Sequence, residues 1–188
     1  LKKETNGFFD GTQKSRTNSK VPTPLKIEKK TGQQQFSLFR SIHLGGVFTE
    51  FQSTTKESII SETMKNISND LGFDPSVMSD LLMDRENMMP TALNNGVAVP
   101  HTRDFLLNKP SDVVSVVFPK KPIEWGALDD QPVHTIFFLF ACNDKKHLHL
   151  LAKLAHLSSN EEGIELLKSK PTSDELLNFI KNWELSTI

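Results

Sequence analysis

The chain has 188 residues, enough for one domain with a sizeable hydrophobic core. Its 22 lysines and arginines balance 23 aspartates and glutamates, so no strong electrostatic field draws it to nucleic acid or to anionic lipid. No apolar run approaches the roughly 18 residues of a membrane span and no secretory signal pattern opens the chain, so we expect a cytoplasmic protein.

The first 35 residues differ in composition from the rest of the chain. They are rich in Lys, Thr, Ser, Gln, Asn, Gly and Pro, with too few apolar residues to build a core, and so predict a flexible linker or tail over residues 1–35. Globular composition begins at Phe36, which predicts a single domain over residues 36–188. The chain starts with Leu1 rather than methionine, so we expect that a further domain can precede the linker.

Two helices are predicted early in this domain, after a short apolar element over residues 36–47. Thr54 and Glu57 have the spacing of a capping box, and the apolar periodicity that follows ends at Gly72. Asp74 and Pro75 combine a cap residue with a proline at the first helical position. They predict a second helix that ends near residues 85–87.

Strands and further helices alternate in the remainder. Residues 97–99, 113–118 and 133–142 are apolar runs that predict buried strands. Cys142 ends the last run, where the usual interpretation is a small buried hydrophobe. Asn143, Ser159 and Thr172 are predicted to cap three C-terminal helices, with Glu162 and Glu175 completing the last two capping boxes. The pattern predicts an α/β fold, a small mixed sheet with helices on both faces.

His101 is the first candidate for chemistry. Pro100 cannot donate to a sheet ladder, so the strand at residues 97–99 should end there and leave His101 just beyond the strand end. A histidine in that place can be a general base, a metal ligand or a nucleophile, or it can simply border a loop.

His147 is the one candidate partner for His101. It leans toward the buried side of the helix after residue 143 and lies in the first turn, at a sheet rim that His101 could share. Two other histidines of this helix, His149 and His156, belong to a predicted outer polar stripe with Lys146 and Lys153. We expect structural or surface roles for His43 and His134. No HExxH spacing occurs, so a zinc site is a minor alternative.

Arg85, at the end of the second helix, is the third candidate. A guanidinium pairs two oxygens of a phosphate, although an arginine at a helix end can also be an exposed residue that favours the macrodipole. Two histidines with an arginine and no acidic triad member suggest a phosphoryl group carried on nitrogen.

These segments resemble a known family. Residues 85–101, RENMMPTALNNGVAVPH, are similar to the active-site segment of the fructose/mannitol-type (type 2) enzyme IIA domains of the bacterial phosphoenolpyruvate:sugar phosphotransferase system. Residues 146–151, KHLHLL, resemble its second histidine motif, and residues 122–133 its loop before the central strand. The resemblance covers residues 36–184 and is strongest to the nitrogen-regulatory branch, in which a lone IIA domain acts as a regulator.

The resemblance implies a phosphotransferase and its site. His101 would accept a phosphoryl group from the phosphohistidine of a small carrier, HPr or its nitrogen-branch relative, and the chain would act on downstream regulatory proteins. His147 would stabilise the phosphohistidine, Arg85 would bind the phosphate, and backbone N–H groups after His101 would add donors. No metal or organic cofactor is implied, and neither a membrane nor nucleic acid is expected as a partner of this domain.

The sequence departs from the family pattern before His101. Met89, Pro90, Ala92 and Asn94 stand where glycines or small residues are frequent, which would alter the loop shape and donor recognition. In some relatives a DNA-binding-like domain precedes the IIA domain. Three alternatives stay open: a regulator that works by contact without phosphoryl transfer, a sugar-specific IIA subunit, and a metal-dependent hydrolase.

Overall fold

The computed structural model describes residues 37–102 and 111–187. The predicted linker over residues 1–35 lies outside this part of the chain. The described residues form six helices and four strands. The helices are α1 (Ser37–Gly45), α2 (Lys56–Leu71), α3 (Pro75–Met88), α4 (Asp144–Leu157), α5 (Glu161–Lys168) and α6 (Ser173–Ser186). The strands are β1 (Val47–Phe51), β2 (Val97–Ala98), β3 (Val113–Pro119) and β4 (Thr135–Phe140).

The four strands form one mixed sheet in the order β1-β3-β4-β2. The two central strands, β3 and β4, are antiparallel, with Ser115 opposite Phe138. The outer strands run parallel to their neighbours, β1 to β3 and β2 to β4. The predicted α/β fold with a small mixed sheet is therefore confirmed.

Helices cover both faces of the sheet, because side chains of the central strands alternate between two cores. On β4, Ile136 and Phe138 pack with α2 and α3, whereas Phe137 and Leu139 pack with α1, α4, α5 and α6. Every residue of β3 and β4 is buried. Burial on both faces explains the uninterrupted apolar runs of these strands.

Several predicted helix caps are confirmed and two are displaced by one residue. Asp74 and Asn143 accept hydrogen bonds from first-turn N–H groups, and Thr172 forms a capping box with Glu175. The α2 helix, however, is capped by Thr55 with Ser58, and α5 is capped by Asn160. The predicted boxes at residues 54–57 and 159–162 are therefore wrong, because a neighbouring residue of equal capping ability takes the position.

Cys142 is half-buried rather than a fully buried hydrophobe. It follows β4, and its Sγ lies 3.3 Å from Nζ of Lys146. That hydrogen bond is the main cause of a raised pKa of Lys146, with a smaller contribution from Asp112. Among the described residues, no helix is long and apolar enough to cross a membrane.

Candidate active site

His101 lies where β2 meets the centre of the sheet. Three residues beyond the end of β2, it forms an isolated parallel bridge with Leu139 of β4. The Pro100 carbonyl accepts a hydrogen bond of 3.0 Å from the Leu139 N–H, so the backbone beside His101 is held to the central strand. The side chain is only 9% exposed. The prediction that His101 lies just past the end of a buried strand is therefore confirmed.

The ring of His101 is oriented by its own backbone. Nδ1 lies 2.7 Å from the carbonyl oxygen of Val99. Because a carbonyl can only accept, Nδ1 carries the proton and Nε2 holds the lone pair in the neutral ring. With the proton on Nδ1, Nε2 is the ring nitrogen whose lone pair is available to act as a nucleophile.

His147 is the neighbour of His101, as the sequence suggests. It lies in the first turn of α4, which Asn143 caps, and its side chain is buried. The two imidazole rings meet edge to face, with centroids 4.9 Å apart and planes inclined by 65°. The predicted pair at one rim of the sheet is therefore formed.

Arg85 and His101 line one pocket of about 530 Å³. Arg85 lies in the last turn of α3, where its Nη1 donates a 2.8 Å hydrogen bond to the carbonyl of Met89. Most of the other lining residues are apolar. They include Met89, Pro90, Leu93, Leu128 and Leu151. A cation and a nucleophilic imidazole in a largely apolar pocket suit a small anionic group, since the low polarity strengthens their electrostatic interactions.

The other residues of the predicted polar stripe on α4 do not all face solvent. His149 bonds to the Ser37 hydroxyl at 2.9 Å, and Lys153 pairs with the carboxylate of Glu184. Both are half-buried against neighbouring helices, so the prediction of an outer stripe is wrong for them. His156 is exposed and its ring contacts Trp183.

Two further expectations concern metal and loop donors. Within residues 37–102 and 111–187, no three His, Cys, Asp or Glu side chains come together in a group that could hold a metal ion. The backbone N–H groups expected to assist after His101 fall largely in residues 103–110, outside the described residues.

Comparison with known proteins places the chain in a family. Residues 41–183 match the family described as "Phosphoenolpyruvate-dependent sugar phosphotransferase system, EIIA 2". The chain belongs to this family. The IIA domain is 32% identical over 129 residues to the nitrogen regulatory protein of Escherichia coli, an alignment that covers 67% of this chain and 76% of the relative.

Solved structures share the fold of this IIA domain. The nitrogen regulatory protein IIA-Ntr of Neisseria meningitidis matches with a TM-score of 0.65 at 23% identity, over 73% of this chain and 93% of that one. The mannitol IIA of Escherichia coli, solved in complex with phosphorylated mannitol IIB, matches with a TM-score of 0.57 at 22% identity, over 72% and 94%. The chain is thus a IIA domain related to both nitrogen-regulatory and sugar IIA proteins.

The sequence gives little warning of one buried charge beside the site of the IIA domain. Glu86 follows Arg85 in the last turn of α3 and is 3% exposed. A carboxylate there faces the negative end of the helix dipole, so it must be compensated by donors from elsewhere in the fold. That unfavourable position is the only signal in the sequence that singles out Glu86.

His134 supports the turn that starts β2. Its Nε2–H donates to the Asn95 carbonyl at 2.9 Å, and its Nδ1 lies 2.8 Å from the Thr135 hydroxyl. Asn95 itself has a positive φ of 64°. These contacts confirm a structural role for His134. Together they require the neutral ring, in which Nε2–H donates and Nδ1 accepts. Burial is the main cause of a lowered pKa of His134.

The lowered pKa of His134 predicts how the stability of the folded chain changes as the pH falls. Because the pKa of His134 lies below its ordinary value of 6.5 in the folded state, the unfolded chain binds the proton more readily. The stabilisation is complete above pH 6.5 and is lost as the pH falls below it. We expect His134→Gln, which keeps a donor but cannot titrate, to flatten the fall in melting temperature between about pH 7 and about pH 5.

The matched control for this measurement is His43→Gln, since His43 is exposed and stacks on Phe39. It should keep the wild-type pH dependence. A His134→Gln curve as steep as that of the control would contradict the assignment.

Proposed function

We propose that His101 accepts a phosphoryl group on Nε2 from the phosphohistidine of a small phosphocarrier protein, HPr or its nitrogen-branch relative. The observation that carries this proposal is the 2.7 Å contact of Nδ1 with the Val99 carbonyl, which assigns the lone pair to Nε2. Membership of the phosphotransferase IIA family supplies the reaction class.

The transfer is a simple displacement at phosphorus. Nε2 of His101 attacks in line, the new N–P bond forms, and the N–P bond of the donor breaks with its electron pair returning to the donor imidazole. No net proton transfer is needed, so positioning and charge stabilisation dominate. We assign Arg85 to binding the phosphoryl oxygens and His147 to stabilising the phosphohistidine from its place beside His101.

We further propose that the output is regulatory and that the partners are proteins. The relative from Escherichia coli is named a nitrogen regulatory protein, and the mannitol IIA structure is a complex with a phosphorylated IIB protein. The first name supports a regulatory output, and the second supports a phosphorylated protein as a partner of the IIA domain. We assign residues 36–188 to this domain and residues 1–35 to a linker.

The experiment that tests the transfer is intact mass spectrometry. The chain is incubated with phosphoenolpyruvate, enzyme I and the cognate phosphocarrier. We expect a gain of one phosphoryl group that is lost in acid and retained in base, the behaviour of a phosphorus–nitrogen bond. No gain with a carrier that is itself phosphorylated would contradict the proposal and favour a regulator that acts by contact.

A further inference from the structure

We propose that Glu86 is a positioning residue for phosphoryl transfer, which holds the segment that orients His101 and the helix end that carries Arg85. This inference rests on the proposed transfer to His101. In this arrangement Glu86 does not touch the phosphoryl group or the acceptor ring. It acts through the backbone that joins it to His101 and to Arg85.

The carboxylate of Glu86 is surrounded by donors from three parts of the chain. It accepts hydrogen bonds from the Thr91 N–H, at 3.1 Å to Oε2, and from the Thr91 hydroxyl. The Trp125 indole N–H donates at 3.1 Å, and Nζ of Lys56 lies 3.5 Å away. Lys56 also lies 5.5 Å above the Trp125 ring. Both carboxylate oxygens are therefore used.

From Thr91 a short hairpin leads to His101. The Val99 N–H donates to the Thr91 carbonyl at 3.0 Å, and the Leu93 N–H donates to the Val97 carbonyl at 2.7 Å. Val99 in turn offers its carbonyl to Nδ1 of His101. Fixing Thr91 fixes Val99, and fixing Val99 selects the tautomer of the acceptor. The path from Glu86 to the imidazole therefore consists of three consecutive hydrogen bonds, of 3.1, 3.0 and 2.7 Å.

The same anchor serves Arg85. Arg85 and Glu86 are consecutive in the last turn of α3, and the Arg85 side chain bonds to Met89 in the segment between Glu86 and Thr91. Tying Thr91 back to Glu86 closes this segment into a loop of fixed shape. A single buried carboxylate thus sets the position of the proposed phosphate-binding cation relative to the proposed acceptor.

A second buried glutamate provides a matched control. Glu184 is 4% exposed, accepts two hydrogen bonds of 3.0 Å from the Leu38 and Phe39 N–H groups, and pairs with Lys153. It resembles Glu86 in burial, in its backbone donors and in its lysine partner, but it joins α6 to α1 and does not line the pocket. Glu86→Gln and Glu184→Gln remove the same charge from similar surroundings, so they separate positioning from general stability.

The experiment compares the wild type with both variants by two readouts. The first is the single-turnover rate of phosphoryl transfer from the phosphocarrier. The second is the ¹⁵N spectrum of the His101 ring without phosphate, which reports the tautomer. In Glu86→Gln the side-chain NH2 group faces other hydrogen-bond donors. We therefore expect the hairpin between Thr91 and Val99 to loosen and the His101 ring to adopt the Nε2–H tautomer as well. We expect a transfer rate roughly 10- to 100-fold lower and ¹⁵N shifts displaced from the Nδ1–H pattern. Glu184→Gln should lower the melting temperature but leave both readouts close to those of the wild type.

A milder variant covers the case in which Glu86→Gln does not fold. Thr91→Val removes only the hydroxyl that bonds to Glu86, and it should displace the His101 ¹⁵N shifts in the same direction by a smaller amount, whereas Thr91→Ser should restore them. Unchanged shifts in every folded variant, or equal rate losses in Glu86→Gln and Glu184→Gln, would overturn the inference. Failure of the wild type to take up phosphate would instead overturn the proposed function, while the ¹⁵N spectra would still decide whether Glu86 sets the tautomer.

Discussion

Replacing His101 by glutamine is expected to abolish phosphoryl labelling, whereas replacing His147 by glutamine should leave a labelled but slower protein. The glutamine at position 101 can still donate to the Val99 carbonyl, so the local fold is preserved while the nucleophilic nitrogen is lost. The measurement is intact mass after incubation with phosphoenolpyruvate, enzyme I and the phosphocarrier, followed over time.

The two histidines are close enough that both must be tested. Their ring centroids are 4.9 Å apart and both side chains are nearly buried, so proximity alone does not identify the acceptor. The difference lies in their backbone surroundings. For His101, a carbonyl at hydrogen-bond distance fixes the neutral tautomer with its lone pair on Nε2. His147 lies in the first turn of a helix, where the dipole favours an anion beside it.

These positions give the two variants different expected kinetics. Loss of His147 removes a stabilising neighbour, and we expect transfer slower by about one to two orders of magnitude with the final stoichiometry unchanged. Phosphoryl labelling of His101→Gln would show that another residue is the acceptor. Absence of label on His147→Gln, with His101→Gln fully labelled, would reverse the two assignments.

Much of the frame around these histidines could be predicted from local sequence. The central strands are apolar on both faces, and Pro100 marks the end of the strand before His101, so both signals are contained within a few residues. The same holds for the cap at Asp74, where a side-chain acceptor precedes a proline. Local features of this kind can be predicted because the residues that determine them are neighbours in the sequence.

Features that depend on distant partners were not predictable in this way. The edge strand β1 has mixed burial and a residue with positive φ, Glu50, so neither strand period nor a buried run identifies it. The contacts of Glu86 with Trp125 and with Lys56 join positions 39 and 30 residues apart. No periodicity connects such positions, so the sequence alone predicts no role for Glu86. The half-buried state of His149 and Lys153 likewise depends on α1 and α6 packing beside α4.

The second large effect concerns stability, at Gly45. An added Cβ would lie 2.2 Å from the carbonyl oxygen of Val114 and 2.8 Å from the backbone nitrogen of Ser115. Both atoms belong to β3, in the centre of the sheet, and cannot move as a flexible side chain can. A hydrogen bond also holds α1 against β3 at this point, since the Ser115 hydroxyl donates to the Gly45 carbonyl at 2.8 Å.

Gly45→Ala should therefore force α1 away from β3. We expect the free energy of unfolding to fall by about 3 kcal/mol or more, which corresponds to a melting temperature lower by about 10 °C for a domain of this size. The measurement is thermal and denaturant unfolding followed by circular dichroism, with the denaturant slope checked for two-state behaviour.

Gly72→Ala is the matched control, because it separates a steric clash from a backbone cost. Gly72 ends α2 with a φ of 74°, and an added Cβ there would meet no atom within 4 Å. The substitution should cost only about 1 kcal/mol, the strain of a left-handed residue that carries a side chain. Equal losses in the two variants would show that the approach of α1 to β3 is not a tight constraint. A much larger loss at Gly45 would show that the close approach of α1 to β3 is a tight steric constraint on the fold.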